Sequence, residues 1–234
     1  MRRSLNIGLI STFAAFHVTL YFLSFGLWRN WAIYLEAVEG VILGPWAGFL
    51  AAFLGSVIAR MIKPNDFWMF GIGAEPLAVL ACGFLARGRW KPVFVIYAVM
   101  LCAYFVHPFG RWLPFWTILD ILLAFVLVYP VSKMAGNLFE QNLKRLPASM
   151  VLLSFVGSAT DALTRVFLFI PAGLYTLFGL TPGAVYSTFV MGAIDSYVED
   201  VLVVVVSFLV GVPILVTLRR IPRLRSLLTS RFSS

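Results

Sequence analysis

The chain has 234 residues, 61% of them hydrophobic and 12% charged, with a formal net charge of +8 and a mean hydropathy of +0.95. Soluble domains run near half apolar and a quarter charged, so this composition excludes a water-soluble globular domain and makes lipid the expected solvent. The cations fall in short tracts between apolar runs, the positive-inside pattern, which argues against a nucleic-acid partner.

The first run, Leu5 to Leu27, follows Met1-Arg2-Arg3. It is too long for a signal-peptide core and lacks a cleavage site, so it reads as a retained helix. A short run, Trp31 to Leu43, ends at Gly44-Pro45, because proline disfavours helix at the residue before it. The third run covers Trp46 to Ile62, and Lys63-Pro64-Asn65-Asp66 is a turn. Phe67 to Ala86 is the fourth, closed by Arg87-Gly88-Arg89-Trp90-Lys91. Pro92 to Val106 is the fifth, punctuated by His107-Pro108-Phe109-Gly110-Arg111, and Leu113 to Val131 the sixth. A polar connector spans Ser132 to Pro147. Ala148 to Phe178 exceeds the ~20 residues a crossing needs, and Pro171 and Gly173 end its helix. The last run, Val185 to Thr217, meets Arg219-Arg220 and a basic tail, 218–234.

This spacing predicts an all-α fold: a polytopic transmembrane helix bundle of about eight crossings in one membrane domain, residues 1–234. With the N-terminus inside, the inner segments collect Arg2, Arg3, Arg87, Arg89, Lys91, Lys133, Lys144, Arg145, Arg219, Arg220, Arg223, Arg225 and Arg231. The outer segments hold Arg29, Lys63 and Arg111, with Arg60 at a helix end. The asymmetry predicts a multi-pass protein of the plasma membrane with both termini cytoplasmic. The count depends on Gly44-Pro45 being a turn rather than a kink.

Ionisable groups within spans are costly and mark functional sites. Glu36, Glu39, Glu75, Asp120, Asp161, Arg165, Asp195, Glu199 and Asp200 all lie in apolar runs. Counted at ~1.5 Å per residue, every acid falls in the outer half, which suits a binding cavity open outside and closed below. Asp161 and Arg165 are spaced i,i+4 and can pair, either as a structural lock or as part of a site. Asp195 and Glu199 share that spacing with like charge and need a cation, a proton or a polar cavity between them. Trp28, Trp31, Trp68, Trp112 and Trp116 at outer helix ends read as an aromatic belt. Cys82 and Cys102, within apolar runs and without a CxxC, are not expected to pair. His17 and His107 read as isolated packing or interfacial residues. No metal site and no cofactor are expected. Gly40, Gly44, Gly48 and Gly55, with Ser11 and Ala15 on the first helix, form small-residue faces that permit close helix approach.

The string Glu36-Ala37-Val38-Glu39-Gly40 through Gly44-Pro45-Trp46-Ala47-Gly48 to Gly55 resembles the second-to-third helix region of the substrate-binding S components of energy-coupling factor (ECF) transporters. The segment from Phe155-Val156-Gly157-Ser158-Ala159-Thr160-Asp161 through Pro171-Ala172-Gly173-Leu174-Tyr175, with the long helix to Arg220, is similar to the later helices of riboflavin-type members. The likeness covers Leu5 to about Lys91 and Ala148 to Arg220. It is a pattern of small residues and spans rather than a strict motif. The family core has six helices, so residues 92–131 form an inserted helical hairpin by this comparison. The resemblance implies a vitamin-type solute captured in an outward-facing pocket. It also implies a transmembrane T component and two ATPase subunits as partners, with Ser11 and Ala15 in the docking region; the family's alanine pattern there is only partly matched. No Walker motif is present, so ATP hydrolysis falls to the partners.

Three readings follow: a non-enzymatic substrate-capture subunit, a self-contained secondary transporter or channel, and an intramembrane enzyme. No GxSxG, HExxH or paired-histidine signal supports the enzyme, and no inverted repeat supports the transporter. The excess of acids favours a small, water-soluble, cationic or nitrogen-rich solute. Its candidate binding residues are Glu39, Glu75, Asp161, Arg165, Asp195 and Glu199.

Overall fold

The computed structural model describes residues 2–23, 31–64, 67–136, 138 and 143–220, with side chains described from Ile7 onward. Trp28, Arg29, Asn65, Asp66 and the tail cations Arg223, Arg225 and Arg231 lie outside the described residues, as do the side chains of Arg2 and Arg3.

Among the described residues all regular structure is helical. The order is α1 (Arg2–Phe22), a 3₁₀ turn (Trp31–Leu35) leading into α2 (Glu36–Leu43), α3 (Pro45–Ile62), α4 (Trp68–Leu85), α5 (Trp90–Val106) and the short α6 (Pro108–Trp112). A second 3₁₀ turn (Phe115–Ile118) leads into α7 (Leu119–Ala135). Then come α8 (Leu146–Phe169), α9 (Leu174–Leu177), α10 (Pro182–Val206) and α11 (Val212–Arg220), the last two joined by a π turn, Ser207–Gly211. Five of these rods are long and apolar enough to cross a membrane: Pro45–Ile62, Trp68–Leu85, Phe115–Ala135, Leu146–Phe169 and Pro182–Arg220. Ile7–Phe22 and Trp90–Val106 are shorter apolar helices. The molecule is a helical bundle of membrane type.

Gly44-Pro45 is a turn. Gly44 adopts φ +80°, open to glycine but strained for other residues, and Pro45 starts α3, where its missing N–H costs no helical bond. The two helices fold back so closely that a Cβ on Gly48 would stand 3.6 Å from the Gly40 Cα. The turn also rests on α4: a Cβ on Gly83 would meet the Pro45 nitrogen at 2.5 Å, and one on Gly40 the Val79 carbonyl at 2.5 Å. The glycines read as small-residue faces thus serve packing inside the chain.

Several boundaries differ from the sequence reading. The helix of the sixth run starts only after Pro114, by way of a 3₁₀ turn, and continues to Ala135. Ser132 is therefore helical and buried rather than part of the connector. Helix α8 begins at Leu146 and ends at Phe169, just before Pro171. In α10–α11, Pro213 has no amide hydrogen to donate, and the π turn just before it accommodates the lost bond.

Helix α8 runs through the centre of the core, which holds Leu153, Val156, Ala159 and Leu163. Residues 92–131 also join that core. Tyr97, Leu101, Ile121 and Val128 are buried in it, and the Tyr97 hydroxyl lies 3.2 Å from the Val156 carbonyl and 3.1 Å from Thr160 Oγ1. The hairpin is an integral part of the bundle, and its second arm carries Asp120.

Candidate functional site

The polar centre is assembled from helices far apart in sequence. Gly55 brings α1 against α3: a Cβ there would stand 2.7 Å from the His17 Cβ and 3.0 Å from the Ala14 carbonyl. That approach buries the His17 ring, with Nδ1 3.3 Å from Glu39 Oε2 and Nε2 3.0 Å from Glu75 Oε2. A neutral imidazole donates only once. Both contacts are hydrogen bonds together only when the ring or one carboxyl carries an additional proton.

Glu75 is the hub and is 1% exposed. Its carboxylate accepts from the Ser56 hydroxyl, from Arg60 Nη1 at 3.1 Å and from Arg60 Nη2. Arg165 Nη2 stands 3.9 Å away. Arg60 enters because Gly71, one turn before Glu75, has no side chain; a Cβ there would collide with the guanidinium. The guanidinium also lies 5.1 Å over the Tyr21 ring, and the Tyr21 hydroxyl donates to the Lys63 carbonyl at 3.0 Å.

Asp161 and Arg165 form the pair that their spacing allows, bidentate, with Nε to Oδ2 at 2.6 Å and Nη2 to Oδ1 at 3.2 Å. Glu36 is buried beside them, and its Oε1 has no hydrogen-bond partner among the described residues. Glu199 on α10 is buried and acts electrostatically on Arg165. Thus Glu39, Glu75, Asp161 and Arg165 share one cluster and Glu199 borders it. Asp195, one turn earlier, is partly buried and does not line the cavity described next. Ser11 and Ala15 lie on the exposed side of α1, whereas Ala14 and His17 are buried.

A cavity of about 220 Å³ opens beside this cluster, at the end of the bundle where α4, α7 and α10 begin and α8 ends. Phe67, Phe70, Phe169 and Phe189 supply its rings, and Thr117, Asp120, Arg165, Thr188 and Ser196 its polar groups. Phe178 packs over Phe67 at 4.6 Å between ring centres. Asp120 sits in the first turn of α7, where the helix end favours negative charge. Its Oδ2 accepts from Ser196 at 2.9 Å. Its Oδ1 is buried and accepts from no side chain among the described residues. The neighbouring Tyr197 hydroxyl donates to the Trp116 carbonyl, so α10 is tied to the start of α7 at two successive residues. A second cavity of about 220 Å³ lies between α1, α2 and α11. It is almost wholly apolar, with His17 and Glu39 in its wall.

Four residues outside the predicted site set matter here. His17 is not isolated; it bridges two carboxylates. Ser56 gave no signal. Arg60, read at a helix end, turns inward to Glu75, and this supplies the acids with a second buried guanidinium. Asp120, noted as an intramembrane acid, is the carboxylate of the cavity wall. Among the described residues no group of three or more His, Cys, Asp or Glu is placed to hold a metal ion.

No protein-family model matches the chain, and no solved structure matches it significantly. The chain is 30% identical over 149 residues to a curated protein of Methanocaldococcus jannaschii, named only as the uncharacterized protein MJ0923. The alignment covers 60% of this chain and 50% of that protein, so the chain spans about half the length of the curated relative it matches.

Proposed function

We propose that this protein is a solute-capture subunit of the membrane, of the S-component type, which takes a small amine-bearing or nitrogen-rich molecule from outside the cell and delivers it through an ATPase-driven transmembrane partner. The observation that carries the reading is the cavity at the Lys63 end of the bundle. It is lined by aromatic rings and a few convergent polar groups, the ordinary make-up of a small-molecule site. Below it the floor is a network of buried ion pairs. In this reading the chain crosses the bilayer eight times with both termini cytoplasmic. ATP is hydrolysed only by partner subunits, and the exposed Ser11–Ala15 face of α1 is the docking surface.

Two measurements test it. Cysteines placed at Lys63 and Arg111 react with an impermeant thiol reagent from outside, and one at Arg89 does not; the opposite pattern overturns the orientation. Replacing Ser11 by Trp weakens co-purification with the ATPase-bearing partner and leaves solute binding intact, because close helix approach needs a small side chain. Unchanged co-purification places the interface elsewhere.

The chain of contacts Glu39–His17–Glu75–Arg165 also links the walls of both cavities, which favours a second reading: a self-contained, proton-coupled transporter. Uptake into proteoliposomes that contain this chain alone, driven by a pH gradient, distinguishes it from the first.

A further inference from the structure

Asp120 and Arg165 stand in the wall of one cavity with opposite charges and unequal partnerships. Asp120 is 5% exposed. Among the described residues the one side chain that hydrogen-bonds it is the neutral Ser196 hydroxyl, backbone amides at the start of α7 also face it, and no cation is paired with it. A buried carboxylate without a cation beside it is costly to keep charged, and a ligand cation removes that cost. Arg165 has Nε and Nη2 engaged by Asp161. Its Nη1 makes no hydrogen bond among the described residues, and 24% of the side chain remains exposed although it lies inside the bundle. The rest of the wall is largely apolar, with Ile121, Ala162 and the four phenylalanines. The volume is below the ~300–1,000 Å³ of drug-sized pockets, so the occupant is small.

We propose that the occupant is a small zwitterion with an apolar or aromatic body, its ammonium group donating to the Asp120 carboxylate and its carboxylate accepting from the Arg165 guanidinium. This rests on the solute-capture reading and narrows it to one ligand class. A simple cation satisfies Asp120 and sets a like charge near Arg165. A simple anion satisfies Arg165 and meets the unneutralised Asp120. A zwitterion is neutral overall and answers both groups, so neither end is buried uncompensated. Its body lies against Phe70, Phe169 and Phe189, and an ammonium near these ring faces gains a cation–π contribution.

The test uses the purified full chain in lipid nanodiscs and three probes with one ring: phenylalanine, phenethylamine and 3-phenylpropionate. Calorimetric titration ranks phenylalanine first, with each single-charge analogue about tenfold or more weaker, the scale of one lost charged hydrogen bond. Asp120→Asn weakens phenylalanine and phenethylamine about tenfold and leaves 3-phenylpropionate unchanged or tighter. Phenethylamine binding as tightly as phenylalanine overturns the proposal, as does indifference to Asp120→Asn. The ranking in the unmodified protein decides the matter even where the variant misfolds. In parallel, Thr188→Cys is placed in a chain whose exposed Cys102 is replaced by Ser, and an impermeant thiol reagent is added from outside. Labelling at Thr188→Cys with no preference for the zwitterion, or with no probe bound, overturns the ligand class and leaves the capture reading standing. No labelling and no binding overturns both.

Discussion

The bundle holds two groups of buried charge that differ in how they are satisfied. Around Glu75 the contacts are made by the protein's own side chains. His17, Ser56, Arg60 and Arg165 converge on one carboxylate, drawn from α1, α3 and α8. Around Asp120, among the described residues, there are one hydroxyl, the backbone amides at the start of α7, no paired cation, and open space bounded by phenylalanines. Buried ion pairs with full coordination position helices, and removing one partner strands the other. An incomplete shell beside a cavity is the arrangement that a ligand completes. The first group is read here as scaffold and the second as receptor, with Arg165 belonging to both.

Substitutions can break or sharpen that division. The largest effect belongs to Glu75→Ala, which leaves Arg60 buried without its carboxylate. The expected loss is about 3–5 kcal/mol in unfolding free energy, read by denaturant unfolding in nanodiscs. A loss near zero makes the cluster something other than scaffold. Gly55→Ala is next. Its methyl group meets the His17 Cβ and the Ala14 backbone, forces α1 away from α3 and pulls the imidazole off Glu75. About 1–3 kcal/mol of destabilisation is expected, as for other overpacked sites. Gly192→Ala has the smallest effect on stability and sharpens the contrast. A Cβ at Gly192 meets nothing within 4 Å, and alanine favours helix by about 0.8–1.0 kcal/mol over glycine. The variant is therefore expected to be slightly more stable while its methyl group narrows the cavity and lowers probe affinity. Equal affinity in Gly192→Ala and the parent places the ligand away from this wall.

The sequence conveys the parts governed by local rules. The Gly44-Pro45 reversal follows from proline geometry, the end of α8 from Pro171, and the Asp161–Arg165 pair from its i,i+4 spacing. Those features need only neighbours within a turn or two. His17 had no such neighbours, because its partners lie 22 and 58 residues away, and nothing in its own run announces them. Arg60 misled for a related reason. A cation near a helix end ordinarily reaches water, and its inward course depends on Gly71 of another helix. Asp120 was visible as an intramembrane acid. Its place in the wall of a cavity depends on Ser196 and on the four phenylalanines, gathered from three helices.

The long helical run Pro182–Arg220, with its π turn at Ser207–Gly211, bears on how the cavity meets the membrane. Its 39 residues measure about 58 Å at 1.5 Å each, nearly twice the ~30 Å hydrocarbon thickness of a bilayer. Glu199, which neighbours Arg165, lies deep along this rod, whereas Arg165 is only one turn from the end of α8. The first half of α10 therefore reaches past the level at which α8 stops, and it carries Thr188, Gly192 and Ser196 of the cavity wall with it. Hydrophobic mismatch on this scale is resolved by tilt and by local bilayer deformation. On the proposed topology, acyl-chain length is expected to act on the cavity: thicker bilayers bring lipid up around its α10 wall, and thinner ones leave that wall to water, which probe affinity measured in nanodiscs of different lipid length checks.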